Sequence, residues 1–237
     1  GFKGFKRKKV KNLHFASLTQ YSSDLEVDVA FPIVDVKNTL GDTLSKQGFK
    51  QLRIAETEKY AHVTYFFNGL REEVLNGEAR VLIPSPKVST YDLKPGMSIQ
   101  KITKTVLEAI NKSQFDFIVL NFANEDMVGH TGDFEAAVKA CEAVDKSLGL
   151  ILKAIKEKSG TLVMTADHGN VEEMIIPKSK EKNTAHTTNK VRFVLVSNHV
   201  NFRNAKLRKG TLADVAPTIL KILRIKKPKE MTGKNLV

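Results

Sequence analysis

The segment "FDFIVLNFAN", Phe115 to Asn124, is an apolar run broken only by Asp116 and Asn121. A strand wet on one face alternates apolar and polar residues, so a run of this kind belongs to a strand covered on both faces, as in a parallel sheet. "TLVMTA" from Thr161 and "VRFVLVS" from Val191 are further runs of the same type. Between the first two, Phe134, Val138, Cys141, Val144, Leu148 and Ile151 recur at helical spacing, with Asp133 as candidate cap and Gly160 closing the segment. Upstream, "VKNTLGDTLSKQG" reads as a helix ending on Gly48, "LRIAET" and "RVLIP" as strands, and "SIQKITKTVLEAI" as an amphipathic helix. "LADVAPTILKIL" reads as a last helix with Pro217 in its early turns. Strands alternating with helices predict an α/β fold, a mostly parallel sheet flanked by helices on both faces. The first thirty or so residues fit less well: "LHFASLTQY" and "EVDVAF" are strand-like with no helix between them.

Composition narrows the function classes. The net charge of +12 sits largely in the opening "GFKGFKRKKVK" and in "LRIKKPKE", and no zinc knuckle, aromatic RNA-binding motif or helix-turn-helix accompanies it. The charge therefore suits an anionic small substrate as well as nucleic acid, and nucleic acid is the weaker reading. One cysteine, Cys141, leaves no internal disulfide and fits a reducing compartment. No stretch approaches the roughly 18 apolar residues of a membrane span. The chain opens on Gly1 with no apolar leader, which reads as the cut end of a longer chain.

In open parallel sheets, ligands gather beyond the carboxyl ends of the strands. Asp126 and His130 follow the first apolar run, Asp167 and His168 follow the second, and His186 lies in "AHTTN" before the third. Imidazole and carboxylate donors without thiolates suit manganese, zinc or a similar divalent ion rather than structural zinc. Two such ions, about 3.5–4 Å apart, are an arrangement used for phosphoryl chemistry. Taken singly, Asp167-His168-Gly169 also reads as a strand-to-loop turn and Asp126 with His130 as a helix start. His14, His62 and His199 read as structural or merely exposed.

"NTLGDTLSKQGFKQLRIAETEKYAHVTYFFNG", "SPKVSTYDLKPGMS", "IVLNFANEDMVGHTGDFEAAVKACEAVD", "TADHGN", "AHTTNKVRFVLVSN" and "LADVAPTILKIL…EMTGKNLV" closely resemble the cofactor-independent phosphoglycerate mutases of the alkaline phosphatase superfamily, from about Lys11 onward. The resemblance implies two divalent ions, manganese in that family, with no requirement for 2,3-bisphosphoglycerate. Asp126, His130 and His186 would hold one ion, Asp167 and His168 the other, and Lys59 in "AETEKYAH" would contact the transferred phosphoryl group. Without the resemblance, Lys59 reads as a surface lysine between a strand and a helix.

The implied reaction interconverts 3-phosphoglycerate and 2-phosphoglycerate in glycolysis and gluconeogenesis through a phosphoserine, in a cytoplasmic, monomeric enzyme with no membrane partner. The family's serine segment, an aspartate of the second ion and the substrate-clamping arginines are not matched here, so the chain reads as the C-terminal part and is expected to be inactive alone. On this view residues 1–33 are the end of a transferase domain and its hinge, and residues 34–237 belong to the metal-binding phosphatase domain. Two positions depart from the family pattern, Glu125 where proline is usual and Leu70 where a second glycine is usual. Another superfamily phosphomutase or phosphatase would share Asp-x-x-x-His and Asp-His-Gly, but "AETEKYAHVTYFFNG" argues against it.

Overall fold

A computed structural model describes residues 3–6, 8, 10–20, 22, 24–32, 34–200, 202 and 205–237. By internal contacts the chain divides into two units, Gly1–Val36 and Lys37–Val237. The expected boundary after Ile33 falls on a residue outside those described, as do Gly1, Phe2, Arg7 and Lys9 of the opening basic run. In the smaller unit β1 (Ala16–Thr19) and β2 (Asp28–Phe31) pair in parallel, Ala16 opposite Asp28 and Thr19 opposite Phe31. Leu18 and Phe31 are each 70% exposed, and none of the unit's described apolar residues is buried.

The larger unit is built around β3 (Gln51–Glu56), whose residues are all buried. It lies between β4 (Glu78–Ile83) and β5 (Phe117–Leu120), and both pairings are parallel. Three of its side chains are polar, so they must be matched inside. Gln51 Nε2 donates to the Gly41 carbonyl at 3.0 Å and Gln51 Oε1 accepts from Arg53 Nη2 at 2.7 Å. The Arg53 guanidinium lies 4.3 Å from the centre of the Phe67 ring, a cation–π contact. Burial pulls Arg53 down to about 10, opposed by the nearby Glu78, which leaves it charged at neutral pH.

Helix α1 (Leu40–Lys46) starts on a capping box. The Asp42 carboxylate accepts from the Thr39 backbone N–H at 2.9 Å, and its backbone N–H donates to the Thr39 hydroxyl at 3.2 Å. Arg71 Nη2 adds a 2.6 Å contact to the same carboxylate. Gly48, with φ 76°, ends the segment in the left-handed conformation that suits glycine. After β3 comes the short α2 (Tyr60–Val63). Then α3 (Ile99–Asn111) and α5 (Phe134–Glu157) cover the sheet, with Ile102 and Val106 packed into one core with Leu52, Ile54, Ile151 and Ala154. The short α4 (Asn124–Gly129) lies between β5 and α5, and α6 (Val215–Ile222) follows the last strand. No described helix is long and apolar enough to cross a membrane.

Two details differ from the sequence expectation. On α5 the buried face is Ala136, Ala137, Ala140, Val144, Ser147, Ile151 and Ala154, whereas Phe134 and Val138 are 57% and 39% exposed. Small residues let this helix approach α4 closely, and an apolar count cannot distinguish that face from its larger neighbours. The last two strands, β6 (Thr161–Met164) and β7 (Val194–Ser197), pair antiparallel, with Thr161 opposite Ser197. Residues 165–193 between them form no α-helix to carry the chain back across the sheet, and an antiparallel return needs none. The fold is nonetheless α/β, with parallel strands flanked by helices.

Two stability measurements check this account. Ile102→Ala, at a fully buried site, is expected to cost about 2–5 kcal/mol in denaturant unfolding, and Val138→Ala less than about 1 kcal/mol. Comparable losses would put Val138 in the core. Burial raises the Asp42 carboxyl, but Arg71 and Thr39 outweigh it and hold the group below its ordinary value. A depressed folded pKa stabilises above the unfolded value, near 3.9, and that contribution fades as pH falls through the folded one. The difference between wild type and Asp42→Asn is therefore expected to be full at pH 6 and to shrink as unfolding is repeated at successively lower pH below about 4.

Candidate metal centre

The chain leaves β5 through Asn121–Ala123 and enters α4, which carries Asp126 in its first turn and His130 at its C-cap. Their i, i+4 spacing sets both side chains on one face, with Asp126 Oδ1 3.1 Å from His130 Nε2. His186, on the loop before β7, brings its Nε2 to 3.0 Å from Asp126 Oδ1 and 3.0 Å from His130 Nε2. Three donor atoms thus form a nearly equilateral triangle.

The tautomer of His130 decides what such a triangle can hold. Its Nδ1 lies 2.6 Å from the Thr184 carbonyl, which can only accept, so Nδ1 carries the proton. In the neutral ring Nε2 is then a lone pair facing a carboxylate oxygen and a second imidazole nitrogen. A cation between them turns that repulsion into ligation. The donors stand about as far apart as neighbouring ligands on a small divalent ion bonding each at about 2.1 Å. A backbone carbonyl fixing the tautomer is also the usual support of a metal-binding histidine. The residues present fit a divalent ion.

Lys59 ends the 3-10 turn that follows β3, and its ammonium is ion-paired with the other carboxylate oxygen, Asp126 Oδ2. Asn170 Nδ2 donates to Asp126 Oδ1 at 2.9 Å. This approach needs Gly129, because a Cβ there would collide with the Asn170 carboxamide. Burial raises the Asp126 carboxyl, but Lys59 and Asn170 outweigh it and bring it to about 2. The carboxylate is therefore charged throughout the ordinary pH range.

His168 and Asp167 follow β6. The His168 ring stacks on His186 with centroids 3.6 Å apart, and its Nε2 stands 3.9 Å from Asp126 Oδ1 and 3.6 Å from Asp167 Oδ1. The Asp167 side chain is 54% exposed, and among the described residues its only ion-pair contact is this one. The structure thus gathers Asp126, His130, His186 and Lys59 tightly, sets His168 against them, and leaves Asp167 on the open side.

Several contributors carry no sequence signal of their own. The Thr184 carbonyl is backbone and could be anyone's. Asn170 follows "DHG" directly, and its adjacency to the metal-type motif was the available signal. His62 reads as structural in the sequence. Burial pushes its imidazole below the ordinary value, helped by Lys59 and opposed by Asp167 and Asp126. Glu125 is lifted to about 7 by burial, slightly offset by its own backbone N–H.

The chain is similar to several known proteins. The chain is 56% identical over 236 residues to the 2,3-bisphosphoglycerate-independent phosphoglycerate mutase 1 of Methanosarcina acetivorans, covering 100% of this chain and 45% of that protein. The 2,3-bisphosphoglycerate-independent phosphoglycerate mutase of Clostridium kluyveri is 56% identical over 238 residues, covering 100% of this chain and 46% of its own length. The chain thus spans about half the length of the curated relatives it matches. Among solved structures, Leishmania mexicana phosphoglycerate mutase, crystallised at low cobalt concentration, superposes with a TM-score of 0.79 at 28% identity, over 99% of this chain and 46% of that one. Residues 3–227 match the metalloenzyme superfamily description, and with the donor cluster at its strand ends the chain belongs to that superfamily.

Proposed function

We propose that this chain forms the metal-binding part of a 2,3-bisphosphoglycerate-independent phosphoglycerate mutase, which interconverts 3-phosphoglycerate and 2-phosphoglycerate as a cytoplasmic, monomeric glycolytic enzyme. The observation that carries the reading is the triangle of Asp126 Oδ1, His130 Nε2 and His186 Nε2, with the His130 lone pair turned inward by the Thr184 carbonyl. In this reading those three residues hold one manganese ion, and Asp167 with His168 contributes to a second. Residues 1–33 are the end of a transferase domain and its hinge.

Bound divalent ions would neutralise phosphate oxygens and lower the pKa of an attacking hydroxyl. The chain's own residues supply the rest. Lys59 has three N–H donors and spends one on Asp126, leaving two for the oxygens of a transferred phosphoryl group. The same contact keeps Asp126 ionised. His130 and His186 have side chains 39% and 47% exposed, so the site is not sealed from solvent. The reaction proceeds through a phosphoserine, and no serine among the described residues is hydrogen-bonded to these donors. Ser85, for example, gives its hydroxyl to Glu56 at 2.9 Å.

Manganese titration of the 237-residue chain, followed by calorimetry or by the resonance of the free ion, is expected to show one stronger site. His130→Ala or His186→Ala should weaken it by about tenfold or more. Binding equal to wild type in both variants removes the ligand assignment.

A coupled assay for 2-phosphoglycerate, with manganese present and host mutase removed, is expected to detect no turnover by this chain alone. Missing the acceptor and its orientation costs several kcal/mol of barrier that ligands alone do not supply. Turnover near that of an intact family member would mean that the nucleophile lies within these residues after all.

A further inference from the structure

We propose that Glu172 is a positioning residue of the metal centre, whose carboxylate latches the Asp167–Asn170 turn to the loop carrying His186. This rests on the metal-binding reading above.

His168 and His186 come from segments well separated in sequence, and neither segment is held by a regular element where the rings meet. Glu172 connects them through both of its oxygens. Oε2 accepts the Asn170 backbone N–H at 2.6 Å. Oε1 accepts the Thr187 hydroxyl in a short hydrogen bond and Asn189 Nδ2 at 3.0 Å. A carboxylate offers only acceptors, and all three partners here donate, so the match is complete in sign. The two backbones also touch directly, with Thr187 N–H donating to the Gly169 carbonyl at 2.8 Å across an isolated antiparallel bridge.

The bridge shares a residue with each metal-type motif. His168 immediately precedes Gly169 and His186 immediately precedes Thr187, so the two histidines are diagonal neighbours across it, in reach of one another. Their rings stack at 3.6 Å between centroids with 21° between planes. Gly169 is required by the same device: a Cβ on it would collide with the Glu172 carboxylate and the Thr187 hydroxyl. The glycine of "DHGN" is thus explained by close approach rather than by its backbone angle. Glu172 itself makes no hydrogen bond or ion pair with the donor triangle, so its effect on an ion passes through the two segments it holds: the loop that orients His186, and Asn170, whose amide donates to Asp126.

The test is manganese affinity of the 237-residue chain, with the melting temperature of each variant measured in chelator as the measure of fold. Glu172→Ala is expected to weaken binding about 10–100-fold, the usual effect of losing an outer-shell partner, with the metal-free melting temperature unchanged. Glu172→Gln keeps the length and one acceptor oxygen and should fall between Glu172→Ala and wild type. A simply structural side chain would move the melting temperature and not produce that order. Should Glu172→Ala melt early without metal, Thr187→Val decides, since it removes the hydroxyl link at nearly constant volume; weakened binding supports the latch and unchanged binding overturns it. His130→Ala separates the two levels. If it loses affinity while Glu172→Ala and Thr187→Val bind as wild type, the latch is wrong and the metal site stands. If His130→Ala also binds as wild type, the metal reading fails and the latch with it.

Discussion

The site depends on one carboxylate with its two oxygens addressed separately. Asp126 Oδ2 takes the Lys59 ammonium, and Oδ1 takes Asn170 and faces the two imidazoles of His130 and His186. A largely buried charge is costly unless it is paired and hydrogen-bonded on every side. Meeting that requirement draws together the turn after β3, the helix after β5, the turn after β6 and the loop before β7. Behind the site Val128 of α4 packs with Val171 and Met174, which follow the turn after β6. At the site itself the segments meet through polar contacts, and those contacts are also the donor set.

The sheet behind the site makes a similar use of charge. The strand that delivers Lys59 is the central one, and it buries Arg53 and Glu56 along with Gln51. Arg53 Nε and Nη1 have no hydrogen-bond partner among the described residues, and Glu56 Oε1 has none either. The guanidinium finds compensation in the Phe67 face and in the Gln51 carbonyl, while burial raises the Glu56 carboxyl despite the Ser85 hydrogen bond. The contacts that this central strand's polar groups do make, Gln51 to Gly41 and Arg53 to Gln51 and Phe67, are available in one register. A slip by one residue would expose Arg53 to apolar neighbours and turn every side chain to the other face. The register that keeps Arg53 on Phe67 therefore also fixes where Lys59 emerges.

Much of this was legible in the sequence, for identifiable reasons. The buried strands announce themselves as apolar runs, and α3 by its period. Asp126, His130, Asp167, His168 and His186 all follow or precede such runs, so strand-end chemistry could be read from order alone. The face of α5 was not legible, because alanines packed against α4 count for less in an apolar pattern than the exposed Phe134 and Val138. Antiparallel pairing of β6 and β7 was hidden because an apolar run does not state its direction. The Thr184 carbonyl has no residue signature, and Glu172 looks like any surface glutamate until Thr187 and Asn189 are brought to it. Leu70 departs from a usual glycine, and its φ of 66° supplies the reason for that glycine, since the left-handed conformation costs a residue with a Cβ about 1–2 kcal/mol.

The unequal standing of the two donor groups follows from how each is attached to the backbone. Asp126 and His130 are one helical turn apart, so a single rigid helix aims both side chains at the same point before any ion arrives. Asp167 and His168 are consecutive, and consecutive side chains leave the chain in different directions unless a turn bends them together. Their closest donor atoms are 3.6 Å apart, against 3.0 and 3.1 Å in the triangle, and the Asp167 carboxylate stands mostly in water. Adjacency in sequence is thus the poorer way to build a ligand pair, and a pair of that kind needs donors from another segment to close around an ion. The His130 group needs less help, since its helix, the Thr184 carbonyl and Lys59 already hold its charge and its lone pair in place.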